Sequence, residues 1–133
     1  MGRKIKDAMT SEPCAIDADK PVAYAAKMMK DEDVGFAPIV EGDRLVGTLT
    51  DRDIAVKVVA VGMDPQTTLV REVAATDVVS VQPDQDFEEA LRLMAQNQVR
   101  RLPVVEEGGK LVGVVAQEAD APKVGRMVED ISE

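Results

Sequence analysis

The sequence predicts an α/β (α+β) fold in which a single β-α-β-β-α unit is used twice, with the copies related by a pseudo-twofold axis and packed sheet to sheet. Three observations carry that expectation. The chain matches itself when shifted by sixty-five positions, each copy holds one amphipathic helical stripe, and each stripe is followed by two short apolar runs joined through glycine. Strands this short cannot cover a core alone, so each copy needs the other to bury its apolar face.

The self-match aligns KPVAYAAKMMKDEDVGFAPIVEGDRLVGTL, from Lys20, with QDFEEALRLMAQNQVRRLPVVEEGGKLVGVV, from Gln85, with Gly109 as one extra residue. A long period present in only two copies reads as a duplicated domain, not as a repeat array. Each copy opens with a short apolar run expected as a strand, CAI at Cys14 to Ile16 and VVSV at Val78 to Val81. A helix follows: Val22, Ala25, Ala26 and Met29 recur at i, i+3, i+4, i+7, and so do Phe87, Ala90, Leu91 and Met94. Pro21 suits a first turn, and Asp86 with Glu89 reads as a cap and its return partner.

The next runs, APIVE with RLVGTL and LPVVE with KLVGVV, read as hairpins turning at Gly42-Asp43 and Gly108-Gly109. A proline at the first residue of a strand is acceptable because it need not donate to the ladder there. DIAVKVVAV carries an apolar stripe and closes the first copy as a helix. Its counterpart, EADAPKVGRMVEDISE, is broken by Pro122 and Gly125 ahead of Arg126 to Ile131. The expected division is 1–61 for the first copy with its N-terminal segment, 62–69 for the linker and 70–133 for the second copy with a degenerate final helix. The connection extends from Gly62 to Ala74, with turn chemistry at Pro65.

Composition narrows the function. Apolar residues make up 45% and aromatics 2%, so the core is built from aliphatic side chains and methionine. Net charge −9 argues against a sequence-independent hold on nucleic acid or an anionic membrane. Histidine is absent, which removes the commonest general base, the commonest metal ligand and any pH switch near neutrality. The lone Cys14 can form neither an internal disulfide nor a cysteine-rich zinc site. Asp51 and Asp53 lie two apart and point to different helix faces, and with Glu118 they show no metal-ligand spacing. The expectation is a cytoplasmic protein that is not an enzyme and carries no cofactor or metal.

The order of elements, the proline-bearing strand after each helix, and the strand that ends in Gly47-x-x-Thr50-x-x-Asp53 resemble the cystathionine-β-synthase (CBS) domain. Here it occurs as a tandem pair, the arrangement called a Bateman module. DRLVGTLTDRDIAVKVVAVGMDP is similar to small stand-alone bacterial CBS-pair proteins, and the resemblance runs from IKDAMT at Ile5 to about Ala121. It implies an adenosine compound held between the copies as a regulatory ligand, AMP or ATP first, S-adenosylmethionine or a related compound otherwise.

The residues support that implication. Thr50 and Asp53, three apart, share one face of a helix starting there, so hydroxyl and carboxylate can grip ribose and phosphate oxygens at a helix N-terminus. The same pair also reads as an ordinary helix cap. Gly47 admits either the ligand or a neighbouring backbone. In VRRLPVV, Arg100 and Arg101 precede the strand that the resemblance turns toward the phosphate, where two guanidiniums would form a clamp. A solvated pair at a strand edge is the other reading. The resemblance lays the adenine against Val78 and Val79, with Thr48 beside it.

The second copy lacks these groups. Ala116 falls on Thr50, Ala119 falls on Asp53, and Asp120 stands one residue late. Gly35 and Phe36 stand where the other copy has Arg100 and Arg101. One functional cleft per chain is expected. The leading reading is a stand-alone energy-sensing regulatory module that acts in trans on an unknown effector protein and pairs as a homodimer. A ligand-independent dimerisation scaffold is the alternative, with Met28 and Leu93 widening the apolar helix faces.

Overall fold

The computed structural model describes residues 2–120, the side chain of Asp120 excepted. The final-helix expectation, with Arg126 to Ile131, lies outside the described residues. The elements are α1 (Ile5–Ala8), β1 (Thr10–Ser11), β2 (Ile16–Asp17), α2 (Val22–Glu32), β3 (Phe36–Glu41), β4 (Arg44–Thr50) and α3 (Asp51–Ile54), then α4 (Val70–Val73), α5 (Phe87–Asn97), β5 (Arg101–Val105) and β6 (Leu111–Ala116). α3 runs on into a π-helix at Ala55–Val59, whereas β6 is followed by a 3₁₀ turn at Gln117–Asp120. No helix among the described residues is long and apolar enough to cross a membrane.

Two three-stranded sheets form, ordered β2-β3-β4 and β1-β6-β5. β3 and β4 pair antiparallel, as do β5 and β6, and each hairpin carries a register shift at the matching place, Ile39/Val40 and Val104/Val105. The turns use left-handed glycines, Gly42 at φ 65° and Gly108 and Gly109 at 87° and 89°. The prolines, expected first in their strands, are third. Pro38 pairs with Thr48, whose N–H and C=O both turn away to Ala75 at 2.9 and 2.8 Å, so the missing proline donor falls at a non-hydrogen-bonded pair.

Each sheet buries its own cluster. Ile16, Val22, Ala25, Met29, Ile39, Leu49 and Val58 fill the first, and Val81, Phe87, Ala90, Met94, Leu102, Val104 and Val115 fill the second. Of the helical stripes, Ala26 is exposed and Leu91 only partly buried, so the buried line on each helix is narrower than the sequence pattern. Met28 and Leu93 are partly buried against their own clusters.

The segments ahead of the copies are exchanged. α1 and β1 precede the first copy, yet Ile5 is fully buried in the second cluster and β1 pairs with β6. α4 stands at the head of the second copy, yet Val70 and Val73 belong to the first cluster, and Ala75 bridges Thr48. Two glycines admit the crossing backbone: a Cβ on Gly47 would lie 2.8 Å from the Ala75 carbonyl oxygen, and one on Gly113 would lie 2.8 Å from that of Thr10. Of the two uses open to Gly47, close approach of neighbouring backbone is the one seen. Ion pairs fasten both segments at matching positions, Arg71 to Asp19 at 2.9 Å and Lys6 to Asp84 at 3.2 Å.

VVSV is not a strand. Ala75 bridges the first sheet, Val81 bridges the second at Val104, and the residues between them span the gap. The Asp86 side chain makes no cap hydrogen bond; it pairs with Lys4 at 3.0 Å, and Glu89 pairs with Arg92. The exchanged segment carries Lys4 to Asp86 and so takes the carboxylate that the cap would have used. Pro21 is the N-cap of α2, one place earlier than a first-turn residue.

Candidate functional site

Between the two copies lies a cleft of about 720 Å³, within the range of small-ligand sites. Four sets of residues border it, each brought there by a local feature. β4 presents Thr48 and Thr50 on one face because alternate strand residues point the same way. The spanning segment supplies Asp77, Val78 and Val79, free of ladder pairing over that stretch. α5 ends at Gln98 in the left-handed conformation, φ 57°, with the Val99 N–H bonded to the Met94 carbonyl at 3.0 Å. That sharp turn delivers Val99, Arg100 and Arg101 to the cleft mouth. α2 ends the same way at Asp33, φ 57°, and delivers Gly35 and Phe36.

Six of the seven residues predicted for the site therefore border one cleft: Thr48, Thr50, Val78, Val79, Arg100 and Arg101. The seventh, Asp53, does not border it. Thr50 Oγ1 accepts from the Asp53 N–H at 3.1 Å, and Asp53 Oδ2 accepts from the Thr50 N–H at 3.0 Å. The other carboxylate oxygen lies 3.3 Å from Lys57 Nζ, which also donates to the Val73 carbonyl at 3.2 Å. The cap reading thus describes this pair as it stands, and Lys57 ties it to the exchanged segment.

Gly35 and Phe36, taken from the sequence as the pseudo-equivalent of the arginines at another site, border this same cleft, because the starts of β3 and β5 both face it. Arg52 is a third guanidinium bordering the cleft, and the carboxylates of Asp51 and Asp77 border it as well. Its signal was present in TDRD, where the residue after a helix-starting Asp is exposed beside the hydroxyls. Val99 was missed because a single valine after a helix carries no periodic signal. A smaller groove of about 430 Å³ between α2 and α3 contains none of the predicted residues.

At the second junction, Ala116 ends β6 and Ala119 lies in the 3₁₀ turn, its carbonyl accepting from Arg3 at 3.2 Å. Neither side chain offers a hydroxyl or carboxylate. The Asp120 carboxylate lies outside the described residues.

The family profile of the CBS domain matches residues 5–60 and 70–118. The CBS domain-containing protein YhcV of Bacillus subtilis is 46% identical over 112 residues, 84% of this chain and 79% of that protein. The crystal structure of hypoxic response protein I superposes with a TM-score of 0.82 at 34% identity, covering 93% of this chain and 98% of that one. That structure holds two coordinated zinc ions. The present chain has no histidine and one cysteine, and among its described residues no three potential ligand side chains gather. CBSX2 in complex with AMP superposes with a TM-score of 0.79, covering 99% of this chain and 100% of that one; its 23% identity speaks for the fold alone. Each of the two matched stretches contains one helix and hairpin that border the cleft, and the chain belongs to the CBS domain family as a tandem pair of CBS domains.

Proposed function

We propose that this CBS pair is a cytoplasmic, non-catalytic regulatory module that binds an adenosine nucleotide, AMP or ATP, between its copies and acts in trans on an effector protein. One observation carries the reading. A single cleft combines an apolar wall (Val78, Val79, Val99), two threonine hydroxyls and three guanidiniums on a chain of net charge −9. Val78 and Val79 suit a base, Thr48 and Thr50 suit ribose or phosphate oxygens, and Arg52, Arg100 and Arg101 suit the phosphates. Asp53 holds the Thr50 N–H and Lys57, and its carboxylate has acceptor capacity left for a sugar hydroxyl if its side chain turns toward the cleft. That CBSX2 holds AMP on the same fold supports the ligand class.

Regulation follows if the ligand binds one relative orientation of the copies, or of two protomers, better than another. A homodimer is the expected assembly. Val56 and Val59 in the π-helix that continues α3, and Val61 just after it, are 47%, 67% and 64% exposed, an apolar run that association would cover. Val59→Lys should therefore shift light-scattering mass from dimer toward monomer.

A thermal-shift panel of AMP, ADP, ATP, NAD and S-adenosylmethionine tests the nucleotide reading. Ligand at a hundredfold excess over Kd stabilises by about 2.7 kcal/mol, a shift of several degrees. No shift with any of the five at millimolar concentration would leave the dimerisation scaffold as the better account.

A further inference from the structure

Among the described residues, only one of the three arginines bordering the cleft has an ion-pair partner. Arg101 Nη2 lies 3.6 Å from Glu118 Oε2, with the two side chains 34% and 56% exposed. The backbone holds them together: the Gln117 N–H donates to the Arg100 carbonyl at 2.8 Å, pinning the 3₁₀ turn to the start of β5. The first copy has the same bond, from the Asp51 N–H to the Gly35 carbonyl at 3.0 Å. There, however, the following residues are Arg52 and Phe36, where the second copy has Glu118 and Arg101. At the matching positions the first copy has Arg52 and Phe36, which cannot form an ion pair, and the second has Glu118 and Arg101, which do.

We propose that Glu118 is a specificity-determining residue of the cleft, its carboxylate holding Arg101 as an internal stand-in for a phosphate until a ligand phosphate displaces it. The inference rests on the nucleotide reading above and adds a discriminator to it. A ligand without an anion cannot displace Glu118, so it gains nothing from Arg101. Because both partners are partly exposed, the competition is modest, worth about two- to fivefold in affinity.

Calorimetry with AMP and with adenosine tests this on the full chain, on Glu118→Gln, on Arg101→Ala, on the double variant and on Glu107→Gln. Glu107 sits in the turn between β5 and β6 and controls for net charge. The expected result is that Glu118→Gln tightens AMP about two- to fivefold, leaves adenosine unchanged, and has no such effect when Arg101 is Ala. An unchanged or weakened AMP affinity in Glu118→Gln overturns the proposal, as does an equal gain for adenosine, in Glu107→Gln or in the Arg101→Ala background. If the native chain binds AMP and Glu118→Gln shows no gain, this inference alone fails. If neither binds AMP, the nucleotide reading falls and takes the inference with it. Binding by Glu118→Gln alone supports the competition while removing AMP as the native chain's ligand.

Discussion

The two strand-to-helix junctions start from the same backbone and end differently. At Thr50–Asp53, hydroxyl and carboxylate close a reciprocal cap and the chain continues as helix through Val59. At Ala116–Ala119 both side chains are methyl groups, and the described chain continues only as the turn Gln117–Asp120. The bond that holds each junction to the opposite strand is retained in both, as are the left-handed residues that end α2 and α5 and the glycines beneath the crossing segments. Duplication has kept the groups that position backbone and let the side chains facing ligand or solvent diverge. Equal scaffolds therefore do not imply equal sites.

The largest effect that would sharpen this comparison is expected from the arginines. Replacing Arg100 and Arg101 together by Ala should weaken AMP binding by at least about a hundredfold, since each charged hydrogen bond contributes about 1.5–3 kcal/mol. Adenosine should lose far less; equal losses for the two ligands in calorimetry would mean that the arginines act through packing.

Next comes the shared scaffold. Gly47→Ala and Gly113→Ala each force a Cβ to within 2.8 Å of a backbone oxygen. Each should destabilise the chain by about 1–3 kcal/mol in urea denaturation. A neutral Gly113→Ala beside a damaging Gly47→Ala would show that the exchanged segments do not hold the two halves alike.

The smallest effect separates the two roles of Asp53. Asp53→Ala removes the return bond of the cap and should cost about 0.5–1.5 kcal/mol of stability, with the fold retained by circular dichroism. It should weaken AMP and adenosine alike by about tenfold, because both carry the ribose. A loss of stability with unchanged affinity would reduce Asp53 to a capping residue.

Where side-chain periodicity or turn chemistry is local, the sequence was legible. The stripes from Val22 and Phe87 mark α2 and α5, and the glycines at 42, 108 and 109 mark the hairpin turns. The exchange of α1 and α4 was not legible, because Ile5 and Val70 are ordinary core residues whose sequence does not say which half buries them. VVSV misled for a related reason: its apolar residues wall a cleft instead of pairing in a sheet. Six of the seven predicted site residues share one cleft, as the resemblance to the CBS domain implied. Arg52 was legible in TDRD, whereas Val99 carries no periodic signal and the Arg101–Glu118 contact depends on the turn after β6 folding back on the start of β5.

The central claim is that one cleft per chain binds nucleotide, and direct calorimetric titration of the full chain with AMP, and with ATP in parallel, tests it best. The account predicts one tight site per chain, two per homodimer, with any second site at least about tenfold weaker because Ala116 and Ala119 offer neither hydroxyl nor carboxylate. Saturation at two equivalent nucleotides per chain would contradict it.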